Sequence, residues 1–167
     1  MSIVTAQRMT AQVDGEFVVF LIGMRINRAW KLHKWMPVAA AMPKMLKELA
    51  EHREMGCLGF HSWFGNPTIL VQYWRSFEDL ERYAKNPDAR HRPAWAAFNR
   101  AVAGNGDVGI WHEAYRVRPG DFECFYGNMP PFGLAAATRA VPATGRRETA
   151  AGRMSLRETA NAGGGGE

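Results

Sequence analysis

The stretch Glu16 to Ile26, EFVVFLIGMRI, is apolar on both of the faces between which a β-strand alternates. Such a strand must be covered on both sides. Helices supply one cover, and a second sheet or a barrel interior supplies the other. That demand selects an α+β architecture before any other element is placed.

The flanking sequence fits it. Residues 1–13 are polar and aperiodic and read as a loose arm. Arg28 to Glu54 is helical in pattern, and Pro37 and Pro43 predict a short helix followed by a longer one. Leu46, Leu49 and Ala50 form the apolar stripe of the second, and Gly56 ends it. Cys57–Phe64 and Thr68–Arg75 read as a hairpin turned by Gly65-Asn66-Pro67. Ser76 caps a helix, with Asp79 at the capping-box offset. Asn86-Pro87-Asp88 stops that helix, and another is expected over 89–103 before Gly104-Asn105-Gly106. Asp107–Val117 is a strand, and Phe122–Tyr126 is expected to pair back onto it. The apolar run Met129–Leu134 is expected to pack across a dimer interface or to close a pocket end. From 139 to 167 the Ala, Gly and Arg content predicts disorder.

The order β-α-β-β-α-β with a fifth strand is the ferredoxin-like split βαβ arrangement, here over residues 14–138. Its sheet carries helices on one face only. A bare apolar face is too large for water, so the expected assembly is a homodimer that closes a dimeric α+β barrel.

Composition narrows the partners. The chain of 167 residues has a net charge of +5, with part of the excess in the tail arginines. It carries no basic helical stripe or nucleic-acid motif, so no nucleic acid is expected. No apolar run is long enough to span a bilayer, and the start lacks a signal-peptide pattern. A cytoplasmic protein with no membrane partner follows. Cys57 and Cys124 stand far apart in sequence, outside any zinc or redox motif, and read as small packed hydrophobes. His33, His52 and His61 form no metal-ligand spacing, so no metal is expected.

Two strands put ionisable and aromatic groups where burial is costly without partners. In Gly109-Ile110-Trp111-His112-Glu113-Ala114-Tyr115, alternation sends His112 to one face and Trp111, Glu113 and Tyr115 to the other. His112 is either a general base facing a pocket or a core histidine bonded to a carbonyl. Glu113 is expected to pair with Arg75 or Arg116, or to orient a substrate. Tyr73 and Trp74 split between the sheet's faces, as packing or as pocket walls. His61 alternates with Gly59 and Trp63 and could line the barrel. Arg25 could clamp an anionic group at a pocket rim. His91 and Trp95 share a helical face and could form a lid.

The element order, with Gln72-Tyr73-Trp74-Arg75, His91-Arg92-Pro93-Ala94-Trp95, Gly109-Ile110-Trp111-His112-Glu113 and Asn128-Met129-Pro130, resembles a known family. It is similar to the fumagillin-pathway-monooxygenase-like branch of the antibiotic-biosynthesis-monooxygenase superfamily of dimeric α+β barrels. The resemblance covers about residues 14–138. It implies a cofactor-independent monooxygenase acting on an apolar aromatic, polyketide- or terpene-like metabolite. His112 would then be base or axial haem ligand, Trp74 and Tyr73 walls, and Arg25 or Arg75 the positive charge. The same superfamily includes haem-binding dehydratases, haem-degrading enzymes and stress-related binding dimers, which are the alternative readings.

Overall fold

The computed structural model describes residues 4–86 and 104–155. The chain divides into two compact units, Val18–Tyr115 and Met1–Phe17 with Arg116–Glu167.

The first unit is built on a four-stranded sheet. Its strands are β2 (Phe17–Ile26), β3 (Cys57–Trp63), β4 (Ile69–Trp74) and β5 (Val108–Val117), in spatial order β3-β4-β2-β5. Helix α1 (Leu32–Glu51) links β2 to β3, and α2 (Phe77–Lys85) follows β4. This is the strand order and connectivity of the split βαβ, so the fold is ferredoxin-like. Register fixes the faces: Val18 lies opposite Trp74, Val19 opposite Tyr73 and Leu21 opposite Val71, while across β4 Gly59 and His61 stand opposite Tyr73 and Val71. Val18, Trp74 and Cys57 pack with Leu49 of α1 and with Leu80 and Tyr83 of α2 in the main core. Helices thus cover one face of the sheet. The other carries Val19, Leu21, Val71 and Tyr73, all only partly buried.

Local signals account for the elements. The Ser76 side chain accepts from the Asp79 backbone N–H at 3.1 Å and opens α2, as the sequence predicts. Gly56, at φ 96°, follows the 3-10 turn Arg53–Met55 in the left-handed conformation that glycine favours. The hairpin closes with the Asn66 side chain against Ile26: Ile26 N donates to Oδ1 at 2.9 Å, and Nδ2 donates to the Ile26 carbonyl at 3.1 Å.

Helix α1 corrects the expectation of two helices, since it runs unbroken through Pro37 and Pro43. Both prolines lie on exposed positions, where water can bond the carbonyls that they leave unpaired. Trp35, Val38 and Ala39 on the inward side pack toward Met24 and Val108, which holds the helix together across the lost bonds. The expected helix over 89–103 lies outside the described residues.

The second unit overturns two expectations. The supposed arm forms β1 (Thr5–Gln12), and the supposed disordered tail supplies β7 (Arg139–Pro142) and the short helix α4 (Ala150–Met154). Together with β6 (Tyr126–Met129) they make a three-stranded sheet in the order β6-β1-β7. Residues 122–125 do not pair back on β5. Phe122 instead sets its ring edge-on to Phe17, with centroids 5.2 Å apart. The strand that follows, β6, joins β1. Thr10 Oγ1 donates to the Cys124 carbonyl at 2.8 Å, and Ala11 N donates to Cys124 Sγ at 3.2 Å. Arg153 of α4 is ion-paired with Glu123. In the Met129–Leu134 run, Met129 ends β6 and Leu134 is buried in the short helix α3 (Gly133–Ala137).

Candidate functional site

Alternation along β5 holds. Val108 packs with Met24 on the helix-covered face. His112, on that same face, tilts over Phe20 with ring centroids 5.7 Å apart and planes at 42°. Phe20 in turn packs on the main core. The imidazole is exposed while its neighbouring ring is fixed. An imidazole so placed presents a ring nitrogen to solvent.

The core beneath is closed and polar in two places. Trp74 has 0% exposure, and its Nε1 donates to Gln72 Oε1 at 2.8 Å. The Tyr83 hydroxyl donates to Glu48 Oε2 at 3.2 Å, with the Tyr83 ring 5.5 Å from that of Trp74. Burial and the Glu48 carboxylate both push the Tyr83 phenol far up, so it stays protonated. Trp74 is therefore a core side chain and not a pocket wall. The Glu48–Tyr83 pair was not read from the sequence. Its only signal is a lone acid on the apolar side of α1, three residues after Met45 and one before Leu49.

The other face of the sheet gathers most of the remaining candidates. His61 stands opposite Val71 with its ring 6.2 Å from that of Trp63, and burial lowers its pKa. Trp111 lies over Gly23. A Cβ on that glycine would be 2.5 Å from the indole Nε1, and nearer still to the Thr68 carbonyl oxygen. The Trp111 Nε1 is buried with no hydrogen-bond partner among the described residues. Glu113 does not pair with either expected arginine, because the Tyr115 hydroxyl donates to its Oε2 at 2.5 Å. That bond raises the Tyr115 pKa. Arg75 is taken by Asp79 at 2.7 Å and by the Glu54 carbonyl at 3.3 Å, which makes it a structural cation. Arg116 faces Glu16 at 3.9 Å. Arg25 is exposed at the end of β2, with its Cβ beside Gly109. Tyr73 lies on this face between Val19 and Gly59. His91 and Trp95 lie outside the described residues.

The structure therefore separates His112 from Trp111, Glu113 and Tyr115 by the thickness of the sheet. No group of three His, Cys, Asp or Glu side chains able to hold a metal occurs among the described residues.

A family model described as monooxygenase af470-like matches residues 17–134. Monooxygenase af470 of Aspergillus fumigatus is 26% identical over 128 residues, which are 70% of this chain and 44% of that protein. The chain thus spans less than half the length of that relative. SnoaB, a cofactor-independent oxygenase from Streptomyces nogalater, aligns with a TM-score of 0.44 at 12% identity, covering 62% of this chain and 94% of its own. A dimeric ferredoxin-like protein of unknown function from Jannaschia sp. CCS1 aligns at 0.43 and 16% identity, covering 60% and 99%.

Proposed function

Because this chain belongs to the monooxygenase af470-like family, we propose that it is a small-molecule monooxygenase of the cofactor-independent type. Its substrate class is an apolar aromatic, polyketide- or terpene-like metabolite. The observation that carries the reading is the family match across residues 17–134, which takes in the four-stranded sheet and His112. The exposed imidazole against Phe20 supports His112 as the base.

In this mechanism His112 takes the proton of an acidic phenol or enol. The substrate anion passes one electron to dioxygen, giving a substrate radical and superoxide. These combine through a new carbon–oxygen bond, and the proton held by His112 completes a hydroperoxide. Loss of water from the hydroperoxide leaves a carbonyl on the oxidised carbon. The substrate is the reductant and dioxygen the oxidant, with one oxygen atom in the product and one in water.

Oxygen uptake on a panel of phenols tests it. The wild type should consume one dioxygen per product, and His112→Ala should lower kcat by about 100-fold or more. Uptake that His112→Ala leaves unchanged removes the base assignment. A visible spectrum with added haem keeps the alternative chemistry in view, since a Soret shift lost in His112→Ala would replace base catalysis with haem ligation.

We also propose that a second copy covers the face bearing Val19, Leu21, Val71 and Tyr73. Ile69, Trp63 and Tyr115 lie exposed beside them, an apolar expanse of the kind that marks an interface. Sedimentation equilibrium at the monomer mass would remove this assignment.

A further inference from the structure

The helix-covered face of the sheet carries two separate apolar clusters. One gathers Val18, Trp74 and Cys57 against Leu49 of α1 and Leu80 and Tyr83 of α2. The other gathers Met24 and Val108 against Trp35, Val38 and Ala39 of α1. Between the two, Phe60 of β3, Gln72 of β4 and Phe20 of β2 stand side by side as cross-strand neighbours. Both phenyl rings of this row are only partly buried, in the middle of a face where a core is ordinarily continuous.

Gln72 itself is 3% exposed. Its amide has a fixed orientation. The Trp74 indole N–H can only donate, so its 2.8 Å bond defines the Oε1 end. The other end, Nε2, makes no hydrogen bond among the described residues. Nor is it sealed, since among those residues only the Trp111 indole nitrogen is both buried and without a partner. An amide donor held at a gap in the core is costly unless something accepts from it.

Strand β2 lies between β4 and β5. The Phe20 ring therefore stands between this amide and the His112 imidazole, 5.7 Å from the latter's centroid. The row presents an aromatic surface with an amide donor on one side and an imidazole on the other. A ring laid against Phe20 meets His112 with a hydroxyl at one edge and Gln72 with an acceptor oxygen at the opposite edge.

We propose that Gln72 determines specificity: its Nε2 donates to an acceptor oxygen, such as a carbonyl, across the substrate ring from the hydroxyl that meets His112. This rests on the reading of His112 as the base and narrows the substrate to a phenol or enol bearing that second oxygen. A substrate without it leaves a buried donor unpaired and is discriminated against.

The test is anaerobic calorimetric titration of the full chain with para-hydroxyacetophenone and with para-ethylphenol, which differ only in the carbonyl. The ratio of the two dissociation constants, ethylphenol over hydroxyacetophenone, should fall about tenfold in Gln72→Met, with ethylphenol binding nearly unchanged. A purely structural role would weaken both ligands together and leave the ratio alone, which overturns the proposal. Failure of both ligands to bind the wild type also overturns it. Should loss of the indole's acceptor unfold Gln72→Met, Gln72→Glu keeps an oxygen for Trp74 and supplies the same comparison. Oxygen uptake judges the base reading separately. A Gln72-dependent ratio without uptake removes only the monooxygenase reading, and uptake with a Gln72-independent ratio removes only the role of Gln72.

Discussion

Gly23 offers a sharp test of how the sheet is assembled. A methyl group there would sit 2.5 Å from Trp111 Nε1 and 2.9 Å from Cε2, where carbon contacts settle at about 3.5–4.0 Å. It would also run into the Thr68 carbonyl, and Thr68 is not free to withdraw. Its N–H donates to the Met24 carbonyl at 2.8 Å, and its hydroxyl accepts from Met24 N at 2.9 Å. Relief must therefore come from breaking one or both of these bonds, at about 1 kcal/mol each, or from displacing the indole at the cost of overpacking, about 1–3 kcal/mol. Gly23→Ala should then destabilise by about 3 kcal/mol and lower Tm by roughly 6–12 °C for a chain of this length. Urea unfolding followed by circular dichroism and tryptophan fluorescence measures it. Gly109→Ala, on the neighbouring strand, is the control: its Cβ would meet only Arg25 Cβ at 3.7 Å and Asn27 Nδ2 at 3.9 Å, and a change within about 0.5 kcal/mol is expected. If the two variants unfold at the same urea concentration, the close approach of Trp111 and Thr68 to Gly23 is wrong.

Two other expectations concern titration and thiol chemistry. Burial alone would raise the Asp79 pKa, but the ion pairs with Arg75 and Arg82 outweigh it and hold the carboxyl below its ordinary value. A lowered folded value means that Asp79 stabilises the protein above about pH 4, and that this contribution fades as pH falls through the folded value; the stability gap between wild type and Asp79→Asn should be widest at neutral pH and close in acid, and a gap independent of pH would contradict the pairing. Burial pushes the Cys57 thiol up to about 11, so a disulfide reagent at mildly alkaline pH should modify the half-buried Cys124 first and reach Cys57 only on unfolding; equal rates for the two in the native protein would show that Cys57 is accessible.

What the sequence made legible was local. Strands β2 to β5 carried clear alternation or two-sided apolarity, and Ser76 marked the start of α2, whereas α1 ends at Glu51 and Gly56 closes the 3-10 turn that follows it. What it hid was non-local. The polar run Thr5–Gln12 becomes a strand because Arg139–Pro142 and Tyr126–Met129, far along the chain, pair with it; nothing in its own composition demands that. Proline propensity alone splits α1 in two, and the helix stays whole because both prolines lie at exposed positions. At the site, alternation correctly split His112 from Trp111, Glu113 and Tyr115. It could not say that Trp74 would be sealed in the core, or that Glu113 would find its partner two residues along its own strand. Those outcomes depend on what the opposing elements bring, which a single strand does not encode.

The Asn66 amide has a consequence for how this chain tolerates change. By donating to the Ile26 carbonyl and accepting from its N–H, the side chain performs the two tasks of a backbone residue in an antiparallel ladder. It is, in effect, a rung without a strand. That sets the reach of the hairpin: lengthening the loop between Trp63 and Ile69 would carry the amide away and leave Ile26 with an open edge. Insertions, tags or fusion points placed there would thus unzip the sheet end as well as extend the turn. An Asn66→Asp change would keep the acceptor but set an anion against the Ile26 carbonyl, losing half the rung while leaving the loop length untouched.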